Sequence, residues 1–283
     1  MGQHRAGVRV AGEVTLSRRE VSDLLTRHGL RPRRSLGQNF VVDPNIVRRI
    51  ARLAGVGAGD HVLEIGAGLG SLTLALAETG ASVTAVETDP QLIPILGEVV
   101  GPAGVTIVEG DALRLDLSDL LGDDRWVLVA NLPYNVATPL VLNLLERVPA
   151  IERMLVMMQR EVAERLAAHV GDEAYGAVSV KVAYWANAVV AGVVPATVFV
   201  PRPKVESALV QIQRRPPPVD AAIDRRRLFA LIEQGFGQRR KMLRRALAGV
   251  VEAATFACAG IRPEARAEEL TIEDWGRLAA CNG

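Results

Sequence analysis

The feature that most limits the fold of this chain is an alternation of short apolar runs and helix-like segments between residues 61 and 169. The runs are too apolar to be half exposed, so they predict parallel strands covered on both faces by helices. Because 49% of the residues are hydrophobic, the chain can bury a sizeable core, and we expect an α/β fold with a mostly parallel sheet. Strands are expected at 61–65, 82–86, 105–109, 126–130 and 154–158, with later ones near 188–194 and 208–213, and helices at 71–79, 91–100, 138–147 and 161–169.

Helix signals precede this region. Ser17 and Glu20 have the spacing of a capping box, which predicts a helix that ends near Gly29. Asp43-Pro44 combines an N-cap residue with a proline in the first turn, and predicts a second helix that ends at Gly55.

A proline run marks the best candidate for a domain boundary. Pro216, Pro217 and Pro218 form a stiff, extended connector, and the sequence beyond them has helical periodicity only. We therefore predict three segments, which are a basic arm with a helix (1–34), an α/β domain (35–213) and a small all-helical domain (219–283).

Charge is unevenly distributed although the net charge is only +1. Residues 1–34 contain eight arginines against three acidic residues, and residues 225–245 contain seven arginines and Lys241 against Glu233 alone. Two basic segments around a mildly acidic centre are typical of a rim that faces RNA. Solvated helix faces would explain the same distribution, and charge alone does not separate the two interpretations.

The sequence does not indicate a protein that depends on a metal or on disulfides, and it does not indicate a membrane or secreted protein. Cys258 and Cys281 have no metal-ligand spacing and predict no disulfide framework, which agrees with a reducing cytoplasm and with a protein that holds no metal. The longest apolar run, 188–200, contains Pro195 and falls short of the roughly 20 residues that a membrane helix needs. We expect no secretory signal and no membrane partner.

A glycine-rich turn follows the first of the strands expected from residue 61 onwards. Glycines at 66, 68 and 70 let the backbone approach a ligand closely and adopt positive φ. In doubly wound sheets, ligands bind at the carboxyl ends of the strands, where this turn lies. Dinucleotide enzymes have a third glycine at the place of Ser71, so the pattern here is G-x-G-x-G instead.

Polar residues also follow the next three strands. Glu87 ends the second strand, 17 residues after Gly70, where a carboxylate can accept both ribose hydroxyls of an adenosine. Asp111 follows the third strand and could accept from an adenine amine, and Asn131 follows the fourth. All of them are expected at one edge of the sheet, where they suit a cofactor that contains adenosine.

The most specific signal is the turn Asn131-Leu132-Pro133-Tyr134. The exocyclic nitrogen of adenine is a poor nucleophile, so a site must hold the amine in line with a methyl group and accept its hydrogens. The side-chain oxygen of Asn131 and the carbonyl of Leu132 are suitable acceptors. Pro133 stiffens the turn, and Tyr134 can stack on a base taken out of its helix.

With this turn, four segments resemble one known family. Ser35–Phe40, Glu64–Gly70, Asn131–Asn135 and Phe199–Ser207 are similar to the ribosomal RNA adenine dimethyltransferases, in particular to the bacterial small-subunit (16S) branch. The resemblance runs from about Ser35 to the C-terminal helices.

The resemblance implies a Rossmann-like class I methyltransferase domain over 35–213 and an RNA-binding helical domain over 219–283. It implies S-adenosylmethionine as cofactor and N6-dimethylation of two adjacent adenosines in the 3′-terminal hairpin loop of small-subunit rRNA, within a partly assembled ribosomal subunit. A monomer is the default for the family. The residues implied to bind the cofactor are Asn39, Val41, Gly66, Gly68, Glu87, Asp111 and Asn131.

The same resemblance implies two further sets of residues. Tyr134 and Phe199 would sandwich the target adenine, beside the catalytic Asn131, Leu132 and Pro133, with stacking of roughly 1–3 kcal/mol per aromatic face. Arginines of the two basic segments would neutralise RNA phosphates. We expect Arg239-Arg240-Lys241 and Arg244 to do so from a helix, and Arg33 and Arg34 from the N-terminal segment.

Three other interpretations compete with this one. A large-subunit dimethyltransferase of the macrolide-resistance type would share fold and cofactor, but that group usually resembles Asn-Ile-Pro where this chain has Leu132. A ribosome-assembly factor without catalysis is the second, and the intact motif residues argue against it. A nicotinamide dehydrogenase is the third, which Ser71 disfavours.

Overall fold

The structure is a computed structural model that describes residues 15–282. Residues 1–14, the first part of the expected basic arm, lie outside the described part. Contacts divide the chain into two compact units, Met1–Pro133 with Val194–Val205 and Tyr134–Val193 with Glu206–Gly283. Their bounds differ from the three predicted segments, which stay a prediction.

Seven strands of the described residues agree closely with the expected ones, and the short β1 and β8 were not predicted. Those of the first unit are β1 (Phe40–Val41), β2 (His61–Ile65), β3 (Ser82–Glu87), β4 (Thr106–Glu109), β5 (Trp126–Asn131) and β8 (Phe199–Val200). Those that lie mainly in the second unit are β6 (Ile151–Gln159), β7 (Ala186–Val194) and β9 (Ser207–Arg214).

The helices include several that the sequence did not predict, namely α5, α8 and α11. The first unit has α1 (Arg18–Arg27), α2 (Pro44–Ala54), α3 (Ser71–Ala77), α4 (Ile93–Val100) and α5 (Leu117–Leu121). The second has α6 (Ala137–Arg147), α7 (Arg160–Ala167), α8 (Ala177–Trp185), α9 (Arg225–Gly237), α10 (Leu243–Ala246), α11 (Ala253–Ala259) and α12 (Ile272–Cys281).

Four parallel strands form the sheet of the first unit, in the order β4-β3-β2-β5. The register pairs Ile65 with Val86 and Glu87 with Glu109, so that three of the strands end at nearly the same level. The four residues Val62–Ile65 are buried, as expected for a strand covered on both faces. The polar residues that follow these strands therefore share one edge of the sheet, as the sequence predicted.

Both N-terminal helix signals are confirmed. The side chains of Ser17 and Glu20 form a reciprocal capping box at the start of α1, and Asp43 caps α2, which ends at Gly55 in the left-handed conformation. The apolar side of α1 joins a core with residues of α4 and with Phe40. This packing anchors the segment that leads into the short antiparallel pair β1–β8.

The second unit combines strands and helices around a core of its own. Its strands lie in the order β6-β9-β7, and β9 pairs antiparallel with β6. The helices α9 to α12 share one apolar core with α8, and Trp275 of α12 is fully buried in it. The sequence missed α8 because its apolar residues show no helical periodicity: nearly the whole stretch is apolar.

The longest apolar run of the chain forms β7 and the 3-10 turn after Pro195. None of the helices in residues 15–282 combines the length and the apolar character that a bilayer crossing demands.

The basic cluster 239–241 does not lie on a helix, so this prediction was wrong. Helix α9 ends at Gly237, residues 238–241 form a turn, and α10 begins only at Leu243. Glycines at 235 and 237 weaken the helix end. The turn redirects the chain so that Leu243 is buried in the core.

The expectation of no disulfide was also wrong. Cys258 of α11 and Cys281 at the end of α12 are bonded, with a Cα–Cα distance of 6.0 Å. The cysteines are 23 positions apart, and the sequence between them carries no sign of this pairing. It arises because α11 and α12 pack side by side.

Candidate active site

The glycine turn after β2 takes a conformation that only glycine adopts easily. Gly66 and Gly68 have φ of 78° and 58°, and the amide of Gly66 donates to the carbonyl of Val86 at 2.8 Å. A Cβ on Gly68 would lie 3.1 Å from the ring of Phe40. The turn is therefore held between β3 and the N-terminal segment, and side chains at these positions would distort it.

Glu87 is buried and connects the loops at the sheet edge. Its Oε2 accepts from the amide of Gly68 at 2.7 Å, and its Oε1 accepts from the amides of Thr88 and Asp89, both at 2.9 Å. Its main-chain carbonyl accepts from Gly110 at 2.9 Å. Burial raises the pKa of the Glu87 carboxyl, and the three amide donors oppose the shift. The carboxylate predicted to hold a ribose thus also orders the glycine turn.

Glu64 is a second buried carboxyl that the sequence analysis did not select. It lies in β2 with 1% of its surface exposed, and its Oε2 has no hydrogen-bond partner. Burial raises its pKa to about 8, and the charge of Glu87 adds to the shift. The nearby hydroxyl of Thr73 opposes this rise in the pKa of Glu64, although the contact between the two side chains falls short of hydrogen-bond geometry. A glutamate within an otherwise apolar strand was the available signal.

Asn131 has an amide group whose orientation is set by the N-terminal segment. Its Nδ2 donates to the main-chain carbonyl of Asn39 at 3.1 Å. Its Oδ1 accepts no hydrogen bond from the described residues, and so stays open as an acceptor. An added Cβ on Gly66 would lie 3.6 Å from the carbonyl of Asn131. Asn39, Gly66 and Asn131 are therefore together, as predicted.

Asp89 ties the N-terminal segment to the loop after β3. Its side chain is 2% exposed and accepts from Gln38 Nε2 at 2.8 Å and from Arg33 Nη1 at 3.2 Å. Arg33, predicted to contact RNA, therefore already has an internal partner. Sequence reasoning missed Asp89 because its two partners lie more than 50 residues away.

Tyr134 follows the acceptor turn and is half-buried. Its hydroxyl shares a hydrogen bond of 2.8 Å with the Oγ of Ser207, a buried residue of β9. Burial raises the pKa of the Tyr134 phenol, and the bond to Ser207 opposes the shift. Ser207 ends a segment that was noted in the sequence, but its role in orienting Tyr134 was not predicted.

The other predicted residues differ in accessibility. Val41 pairs with Phe199 between β1 and β8, and both are buried, Phe199 with 1% exposed. Leu132 is buried and Pro133 half-buried. Asp111 is exposed, and its Oδ1 accepts from the amide of Leu113 at 3.0 Å.

The residues predicted to bind RNA fall into two groups. Arg239 and Arg244 form ion pairs with Glu268 at 2.5 Å and Glu264 at 3.3 Å. Arg240 and Lys241 are exposed and form no ion pair with described residues. The backbone of Arg34 lies in the 3-10 turn Arg34–Leu36, and its side chain lies outside the described part.

Comparison with known proteins identifies the family. A family model described as ribosomal RNA adenine dimethylase matches residues 29–281. The chain belongs to this family. Two relatives, both named ribosomal RNA small subunit methyltransferase A, are 49% identical to it. The Acidothermus cellulolyticus protein aligns over 92% of this chain and 92% of its own length, and the Thermobifida fusca protein over 92% and 93%.

Solved structures confirm the fold class of the family, a class I methyltransferase with a mostly parallel sheet and a helical C-terminal segment. A 23S rRNA methyltransferase, ErmE, is 27% identical, with a TM-score of 0.68 over 86% of this chain and 99% of its own. A dimethyladenosine transferase from Plasmodium falciparum has the same TM-score at 24% identity, over 83% and 94%.

The family consists of S-adenosylmethionine-dependent methyltransferases, and the described residues fit that cofactor. Glu87 offers a buried carboxylate at the end of β3, beside glycines that leave room for a ligand close to the backbone. Residues 15–282 contain no cluster of side chains that could hold a metal ion.

Proposed function

We propose that this chain transfers methyl groups to the N6 atoms of two adjacent adenosines in the 3′-terminal hairpin loop of small-subunit (16S) rRNA. The observation that carries the proposal is the Asn131 amide. Its Nδ2 donates to the carbonyl of Asn39, its Oδ1 accepts from none of the described residues, and its main-chain carbonyl lies beside Gly66 of the glycine turn. Its Oδ1 is the acceptor that adenine methylation requires.

S-adenosylmethionine supplies an electrophilic methyl group on a sulfonium. The protein orients the nucleophile, because in the first transfer the Oδ1 of Asn131 and the carbonyl of Leu132 accept the two amine hydrogens, and in the second transfer one of them accepts the hydrogen that remains. In each transfer the nitrogen gains the methyl group and releases one proton to water. The amine nitrogen loses conjugation with the ring when it becomes pyramidal. This loss costs less free energy when the amine hydrogens are held, and the nitrogen lone pair then points to the methyl group. Pro133 has no N–H, so the turn presents acceptors without a competing donor there.

Aromatic side chains hold the adenine. Tyr134 is half-buried, and the bond from its hydroxyl to Ser207 limits rotation of the side chain. Phe199 is 1% exposed, so stacking on it requires a shift of the β1–β8 pair that uncovers the ring. Stacking on each face contributes about 1–3 kcal/mol, which offsets the cost of taking a base out of its stack.

Similarity favours the small-subunit substrate over the large-subunit one. Relatives that are 46–49% identical carry the small-subunit name, whereas the 23S rRNA methyltransferase is 27% identical. The complete acceptor turn and the buried Glu87 favour catalysis over a role as a non-catalytic assembly factor.

Residues 219–283 would bind RNA, and residues 35–213 would carry the chemistry. Arg240 and Lys241 are the best phosphate ligands of the predicted set, because they are exposed and have no ion-pair partner among the described residues. We expect the enzyme to act as a monomer, in the cytoplasm, on a partly assembled subunit whose packed surroundings present the hairpin.

The test is methyl transfer to defined substrates. The protein is incubated with radiolabelled S-adenosylmethionine and either unmethylated small subunits or protein-free large-subunit RNA, and the RNA is digested to nucleosides. We expect label in dimethyladenosine from the small subunit alone. Label from the large-subunit RNA would assign the resistance-type reaction, and no label in either would refute the proposed activity.

A second substrate tests the assembly context. A short free hairpin with the same loop sequence should be methylated far more slowly than the subunit, because it lacks the surroundings that the basic segments contact. Equal rates on both substrates would contradict this part of the proposal.

A further inference from the structure

Strand β7 is an edge strand with an open side. It is the last strand in the order β6-β9-β7, so only one of its two sides is paired within residues 15–282. An unpaired edge presents a row of amide and carbonyl groups that can pair with another chain. Proteins usually protect such an edge with lysines, prolines or bulges.

Charged residues and prolines, two of the usual protections, are missing from β7. Its nine residues, ANAVVAGVV, include no charged residue and no proline. Val189, Val190 and Val193 are 52%, 41% and 40% exposed, which is high for valine. The neighbouring loop adds Val170 with 41% exposed. Exposed apolar residues grouped on an edge strand are typical of a surface that binds another protein segment.

A groove lies beside the strand, with a volume of about 470 Å³. One wall is formed by Ala188–Val190 of β7, and the other by the end of α7 and the loop 169–174. Alanines at 167, 168 and 174 leave space for larger apolar side chains from a ligand. The groove is therefore suited to alternate side chains of an extended peptide.

The rim of the groove is acidic. Glu164, Asp172 and Glu173 line it together with His169, and two arginines that bond to lining residues are already ion-paired. Arg160 pairs with Glu164 and Glu206, and Arg239 pairs with Glu268 while donating to the carbonyl of Glu173. This surface repels RNA phosphates and attracts a basic ligand.

We propose that β7 and this groove bind an extended segment of a protein partner in which basic and apolar side chains alternate, added to the sheet as a further strand. The proposal rests on the proposed function in that the partner is then a protein of the small ribosomal subunit. A second copy of this chain fits less well, because β7 carries no basic residue to meet the acidic rim.

The surface is tested first with a defined probe. Fluorescent peptides of alternating valine and lysine, or of valine and glutamate, are titrated into the full chain. We expect the lysine peptide to bind at least about tenfold tighter and to slow hydrogen exchange in 186–194. Val189→Lys should weaken its binding at least tenfold, whereas Val250→Lys, at a valine 45% exposed outside the groove, should not. Equal binding of both peptides, or equal effects of both variants, would overturn the proposal.

Photo-crosslinking then identifies the partner. Benzoylphenylalanine is placed at position 189, or at 250 as control, and the protein is irradiated with unmethylated small subunits. We expect a crosslink from 189 to a lysine- and arginine-rich segment of a ribosomal protein. Crosslinks from 189 only to rRNA or to a second copy, or none, would refute the partner assignment. Methylation of the same subunits is measured separately, so a failure of the proposed function is distinguishable from a failure of the docking surface.

Discussion

Replacing Glu64 by glutamine should remove a large pH dependence of stability. Glu64 is buried in β2 with an unpartnered oxygen, and burial raises its pKa from 4.5 to about 8. In the native protein the carboxyl therefore keeps its proton at neutral pH, whereas in the unfolded chain it loses it above pH 4.5. Because the unfolded chain then binds fewer protons, the free energy of unfolding falls as pH rises between these two values.

The magnitude follows from the two pKa values. One proton of difference corresponds to about 1.3 kcal/mol per pH unit, so Glu64 should destabilise the cofactor-free protein by about 3 kcal/mol between pH 5 and pH 8. Above pH 8 the native carboxyl ionises too, and the loss levels off. Glutamine has nearly the same volume and no charge, so Glu64→Gln should lack this slope.

The free energy of unfolding is measured by urea titration at pH 6, 7 and 8 for the cofactor-free wild type, for Glu64→Gln and for a control, Glu109→Gln. Glu109 is an exposed glutamate at the end of β4. We expect Glu64→Gln to gain about 1 kcal/mol relative to wild type for each pH unit, and Glu109→Gln to follow the wild type. Glu87 is present in all three proteins, so the comparison isolates the Glu64 carboxyl together with the part of its pKa shift that the Glu87 charge adds. Parallel stability curves for wild type and Glu64→Gln would refute the reasoning.

Three further predictions concern the site and the RNA. Asn131→Ala should lower the rate of methyl transfer by about 10²–10³-fold. Cofactor binding, measured by calorimetry, should be weakened but still detectable. A near wild-type rate would contradict the acceptor role, and so would an equal loss in the control Asn45→Ala, at an exposed asparagine. Ser207→Ala removes the hydrogen bond that orients the neighbouring tyrosine, and should raise KM for the subunit several-fold with cofactor affinity unchanged, so an unaltered KM would count against it. Replacing Arg240 and Lys241 by alanine should make the slope of log binding constant against log salt concentration shallower, by the amount expected for roughly one to two lost phosphate contacts. An unchanged slope in a filter-binding assay would exclude both residues as phosphate ligands.

Much of the candidate site was predictable because it follows strand ends. The strands have strong apolar patterns, and parallel strands place their carboxyl ends at one edge, so Gly66, Glu87 and Asn131 could be grouped from the sequence. The resemblance to the family added Asn39, whose carbonyl meets Asn131 across 92 residues of chain. Asp111 shows the limit of this reasoning: its place after β4 was correct, but it is exposed and bonded only within its own loop.

Local chemistry explains where the sequence alone was sufficient. The capping box at Ser17 and the proline start of α2 depend on neighbours within a few residues, so a short window of sequence determines them. The tertiary structure decided what depends on distant partners. It bonds Asp89 to Arg33, orients Tyr134 through Ser207 and joins Cys258 to Cys281. These contacts form only when packing brings separated elements together, and no spacing along the chain records which elements will meet.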